Sequence, residues 1–186
     1  MSGDRYLAFL RAINTGNRRL TNEQLLAPFN ELGFTDVAAY QAASNVTFRC
    51  ADDDDAAETW IEASLAVAYG FDTPTFIRSA AEVEALVAAQ PLAADELAAS
   101  IGKMQVTFLR VSPSPAAIDQ AMELVPPEDR VILSGCHWYW LPVAGVSDSQ
   151  LPVEAVEAVE AVLGEMTMRT LGTLGTLQRI SIKFAD

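Results

Sequence analysis

Arginine and asparagine side chains carry the chemistry that stands out in this chain. Arg11 lies inside the apolar run 6–13, Asn14 follows at once in Asn14-Thr15-Gly16-Asn17, and Asn45 opens Asn45-Val46-Thr47-Phe48. A guanidinium binds phosphate or carboxylate in bidentate fashion and amides add further donors, so these residue types suit a small anionic ligand. They also have structural uses. An Asn in a turn bonds its own backbone, and an Arg on an apolar face locks two layers together through a carboxylate or carbonyls. Other reactive groups offer less. Adjacent Cys136-His137 lacks the separated pairs of a zinc site, and a thiol nucleophile at Cys50 or Cys136 needs a partner that only the fold can supply. The run Asp52–Asp55 reads as the start of a helix, since calcium loops interleave their ligands with other residues. No metal site is expected. With neither a phosphate-binding loop nor a dinucleotide fingerprint, no cofactor is expected either, and the sequence identifies no catalytic residue.

Composition narrows the partners. The chain has 186 residues, is 51% hydrophobic and carries a net charge of -13, enough apolar content for a sizeable core in one domain or two small ones. An acidic surface repels nucleic acid and anionic membranes, so a nucleic-acid partner is not expected. No apolar run approaches the roughly 20 residues of a membrane span, and Met1-Ser2-Gly3-Asp4 lacks the features of a signal peptide. These observations, with two cysteines expected as thiols, point to the cytoplasm. Oligomeric state is not legible.

The elements that must position Arg11 and Asn45 follow from periodicity. Residues 6–13 predict a strand covered on both faces, with Leu7, Phe9, Arg11 and Ile13 on one side and Tyr6, Ala8, Leu10 and Ala12 on the other. Thr21-Asn22-Glu23-Gln24 has the pattern of a capping box, and Leu25, Leu26, Phe29 and Leu32 give its helix a buried face that ends at Gly33. Strands are expected over 37–40 and 46–49. A helix over 56–69 follows, with Trp60, Ile61, Leu65 and Ala68 inward, then a strand over 75–78 and a helix over 80–89.

The plan recurs. Phe108-Leu109-Arg110 in a strand over 104–111 repeats Phe9-Leu10-Arg11 and is followed by a helix over 115–124, a hairpin over 130–142 and a helix over 153–163. Trp138 and Trp140 share a face of the hairpin, where core packing is the default. Two halves of this kind predict an α+β protein of two split βαβ (ferredoxin-like) units, residues 1–90 and 91–186, packed together, the second ending in a variable tail.

Several of these segments resemble the DUF1697 family, an uncharacterised bacterial family. They are Arg11-Ala12-Ile13-Asn14-Thr15-Gly16, Leu32-Gly33-Phe34, Asn45-Val46-Thr47-Phe48, Tyr139-Trp140-Leu141 and the stretch from Leu163-Gly164 to Thr173. The resemblance implies two ferredoxin-like α/β units and brings no established activity. Its Arg-Gly-Ile-Asn-Val-Gly-Gly motif stands here as Arg11-Ala12-Ile13-Asn14-Thr15-Gly16-Asn17, and its Ser-Gly-Asn as Ala43-Ser44-Asn45. A Thr-Thr-Arg-Asn-Trp-Asn-Thr type segment stands as Thr167-Met168-Arg169-Thr170-Leu171-Gly172-Thr173, keeping Thr167, Arg169 and Thr173. The Leu-Gly-Thr repeats over 171–177 weaken a helix there, each interior Gly costing about 1 kcal/mol.

In a ferredoxin-like unit the first and third strands are central neighbours, which brings Asn14 and Asn45 to one edge, beside the start of the helix capped at Thr21. Arg11, Asn14, Gly16 and Asn45, with Arg169, are the expected ligand-binding set, and a phosphate or carboxylate is the expected ligand. The alternative is a noncatalytic interaction or assembly module in which the same residues are structural.

Overall fold

Burial on both faces makes Asp4–Leu10 a central strand. The computed structural model describes residues 4–13, 19–40, 44–50, 56–89, 91–100, 103–125, 127, 129–142 and 153–183. Among them the chain is a mixed α+β protein of two four-stranded antiparallel sheets and seven helices. By backbone proximity it divides into two compact units, Met1–Ala85 with Thr176–Asp186, and Leu86–Gly175. No helix among the described residues is long and apolar enough to cross a membrane.

The first sheet has the order β2-β3-β1-β4, from β1 (Asp4–Leu10), β2 (Thr35–Tyr40), β3 (Asn45–Cys50) and β4 (Thr75–Ser79). Helices α1 (Asn22–Glu31) and α2 (Ala57–Tyr69) supply its helical layer. Tyr6, Ala8, Leu10, Val46 and Phe48 face Leu25, Phe29, Ile61 and Leu65 in one core. The opposite face carries Leu7, Phe9, Asn45, Thr47 and Phe76, all buried. Thr21 caps α1 as expected: Gln24 N–H donates to its Oγ1 and its own N–H donates to Gln24 Oε1. The Tyr69 hydroxyl donates to Gln24 O, tying α2 to α1.

Three expected core positions on helices point outward instead. Trp60 is 47% exposed and Ala68 is exposed as well, because Ala57, Ile61 and Leu65, four residues apart, already form the inner stripe of α2; Leu32 sits in the exposed C-cap of α1. Ile13 also departs from the alternation. The strand ends at Leu10, and Ala12 takes a left-handed backbone with φ 60°, which turns Ile13 into the core with Leu25 and Phe29.

In β4 the amides of Phe76 and Arg78 face β1, so those of Thr75, Ile77 and Ser79 face outward. Each outward amide donates to a carboxylate: Thr75 to Glu62 and Ile77 to Glu58 of α2, and Ser79 to Glu82, all at 2.7 Å. The β4 edge of this sheet is therefore sealed by side chains.

The remaining helices are α3 (Ala80–Ala89), α4 (Ala94–Ala99), α5 (Pro115–Glu123), α6 (Val153–Leu163) and α7 (Leu171–Lys183). The second sheet has the order β6-β7-β5-β8, the topology of the first, from β5 (Gln105–Leu109), β6 (Arg130–Ser134), β7 (His137–Leu141) and β8 (Met166–Thr170). Leu109, Trp138 and Trp140 pack with Ala121 of α5 and with Val159 and Leu163 of α6. Trp140 Nε1 donates to Asp129 at 2.8 Å, both residues being buried. Replacing Asp129 with Ala strands that indole N–H, so Asp129→Ala is expected to lower stability by about 2 kcal/mol, read as a shift in the urea midpoint at unchanged slope.

Candidate functional site

Strand pairing brings two of the expected residues, Arg11 and Asn45, to one end of the first unit's sheet. Phe9 pairs with Asn45, and Leu10 pairs with Thr75 on the other side. Leu10 N–H then donates to Ser44 O and Arg11 N–H to Pro74 O, both at 2.9 Å. The end of β1 is thus held between the start of β3 and the start of β4. Arg11 is half-buried at this end. Asn45 is 2% exposed, and its side-chain Nδ2 donates to Tyr40 O at 3.3 Å. Asn14 and Gly16 lie outside the described residues, as do Arg18 and Asp52–Asp55.

The N-terminus of α1 contributes less than expected. The Thr21–Gln24 capping box already takes up amides that an anion would need.

One residue that sequence reasoning did not single out belongs to this end of the sheet. Thr73 precedes Pro74 and β4, is 1% exposed, and its Oγ1 has no hydrogen-bond partner. Thr75 Oγ1 donates to Thr73 O at 3.0 Å and fixes the approach to the strand. The signal was topological: a fourth strand antiparallel to the first begins at the same edge as the third, so the Thr-Pro-Thr segment ahead of it joins the corner.

The opposite end of β1 carries a separate charge cluster. Arg5 and Arg49 are direct cross-strand partners, and Asp36 lies 4.0 Å from the first and 2.8 Å from the second. Asp36 reaches them from an irregularity in β2 with φ 51°. Burial and the neighbouring Arg49 lower the pKa of Arg5, against the opposing pull of Asp36.

Arg169 belongs to the second unit. It pairs with Val106 on β8, and its guanidinium donates to Thr167 Oγ1 at 3.0 Å and to Met168 O at 2.7 Å. Burial lowers its pKa to about 10. The thiol–imidazole pair is not assembled: Cys136 packs on the helical side, 3.3 Å from Ser112 Oγ, while His137 meets Phe108 edge-on across the other face.

A sequence model for the family described as "Protein of unknown function (DUF1697)" matches residues 4–139. Among solved structures, the chain is similar to the conserved bacterial protein SP0830 from Streptococcus pneumoniae. The TM-score is 0.70 at 16% identity, over 96% of this chain and 98% of that one, so the likeness is one of fold. None of the curated proteins matches.

The corner yields two expected outcomes. Ala12 holds a backbone conformation that glycine adopts without strain, so Ala12→Gly is expected to raise stability by about 1 kcal/mol in chemical denaturation. For Arg169 the folded pKa of about 10 lies below the ordinary 12.5. Between those values the unfolded chain binds more protons, so this residue's contribution to stability rises with pH. Urea midpoints of wild type and Arg169→Met, compared on either side of pH about 10, are expected to shift in favour of wild type at the higher pH.

Proposed function

The chain belongs to the DUF1697 family of proteins of unknown function, and from that premise we propose that each unit is a ferredoxin-like plait and that the first binds a small anionic group at the end of β1. The plait reading is supported by the strand order shared by both sheets and by the alternation of strands and helices along each half. The ligand is a phosphate or carboxylate. One observation carries this reading: the hydroxyl of Thr73 is buried and without a partner beside the fastened end of β1. Leaving a buried hydroxyl unsatisfied costs about 1–3 kcal/mol, which an oxygen of the bound group would offset.

In this reading Arg11 supplies charge and two-point geometry, Asn45 an amide donor, and Asn14 and Gly16 further donors. Arg169 is a second guanidinium of the proposal, within the second unit, where burial disfavours an isolated cation. A noncatalytic assembly role is the second reading, favoured by the amides of Met166, Met168 and Thr170, which face away from β5 at the outer edge of β8.

The test is an amide NMR titration with inorganic phosphate and with acetate. Shifts at Arg11, Asn45 and Thr73 are expected, with Arg11→Gln weakening binding at least about tenfold, or 1.4 kcal/mol. Thr73→Val should raise the stability of the free protein by about 1–2 kcal/mol while weakening binding. A wild-type spectrum unmoved by either anion would refute the reading.

A further inference from the structure

Superposing the two units by register exposes one difference in how their sheets end. Phe9 and Leu7 pair with Phe76 and Arg78 in the first unit; Phe108 and Val106 pair with Thr167 and Arg169 in the second. β4 and β8 are therefore equivalent edge strands. In both, an arginine reaches back to the preceding outward carbonyl: Arg78 to Ile77 O at 2.6 Å, and Arg169 to Met168 O at 2.7 Å. The amides differ. Leu109 N–H points to Cys136 O and Leu171 N–H to Met104 O, so Thr167 and Arg169 face β5 while Met166, Met168 and Thr170 face outward.

In β4 the three equivalent amides meet carboxylates. In β8, among the described residues, no side chain accepts from them. The cause is visible in the sequence. Counting back from Gly70 after α2 and Gly164 after α6, buried Leu65 matches buried Val159, Glu62 matches Val156, and Glu58 matches Pro152. The second unit lacks both capping glutamates.

We propose that the outer edge of β8 pairs with β8 of a second copy of this chain, about a two-fold axis at Met168. The occupant follows from self-complementarity. An antiparallel pairing centred there sets Met166 opposite Thr170 of the second copy and Met168 opposite its own counterpart, so every outward amide meets an outward carbonyl. A carbonyl has two lone pairs, so Met168 O accepts the new bond while keeping the one from Arg169. Met168, 37% exposed, is covered by its counterpart.

The other edges suit this less. β2 is interrupted at Asp36. β6 offers only Val131 and Leu133 outward, and its first residue, Arg130, is drawn to Glu96 of α4 at 3.4 Å.

Analytical ultracentrifugation and amide hydrogen exchange of the full chain test the proposal. A concentration-dependent dimer is expected, strengthened by salt because each copy carries -13. Exchange at Met166, Met168 and Thr170 should slow as the dimer forms. Met168→Pro removes a donor that the monomer leaves unused, and Met168→Glu sets like charges face to face at the axis; both should stay folded by circular dichroism and remain monomeric. The proposal is overturned by a wild-type monomer at all concentrations, by a dimer that survives both variants, or by dimerisation without slowed exchange at those amides. The exchange measurement needs no variant, so it decides even if both substitutions unfold the chain.

Discussion

A strand in the middle of a sheet needs main-chain partners on both sides along its length, and in the first unit β1 has them through to Arg11. Leu10 and Arg11 donate in opposite directions, to Ser44 O and Pro74 O. Those two bonds fix which segments surround the end of the strand, and therefore which side chains share a corner. They also oblige the chain to leave the sheet abruptly. Ala12 meets that demand with a left-handed backbone, at the position where the family motif has glycine, and in doing so sends Ile13 into the core instead of extending the strand.

The two units show what such a frame holds constant and what it releases. Strand order, the left-handed glycines Gly70 and Gly164 after α2 and α6, and an arginine bonded to the preceding carbonyl of each fourth strand recur. The third-strand residue opposite Phe9 is Asn45, whereas opposite Phe108 it is His137. One is tied to the carbonyl of Tyr40; the other lies edge-on against an aromatic ring. Backbone geometry is thus shared while the chemistry at the sheet end has separated.

Much of this was legible in the residues. Alternation placed Tyr6, Ala8 and Leu10 together, the Thr21–Gln24 pattern marked the start of α1, and the Phe-Leu-Arg repeat revealed the doubling. What escaped was set by contacts that no local pattern encodes. Trp60 is large and apolar yet lies outward, because the stripe Ala57, Ile61 and Leu65 sets the rotation of α2. β8 is short and half polar and offers little alternation, so only its pairing with β5 defines it as a strand. α7 forms in spite of Gly172 and Gly175, with buried Leu174 and Leu177 supplying the packing that propensity withholds. Thr73 went unnoticed because a hydroxyl before a proline has no distinctive signature until the strand order is known.

The glutamates of α2 have a consequence for how the first unit comes apart. Glu58 and Glu62 lie four residues apart on one face of the helix and grip amides two residues apart on β4. Helix and strand are therefore riveted through groups that neither can re-pair alone, since an outward amide released from its carboxylate has only solvent to turn to. Fraying of the strand must loosen the helix and the reverse, which makes α2 and β4 one cooperative block even though the loop between them spans only Gly70 to Pro74.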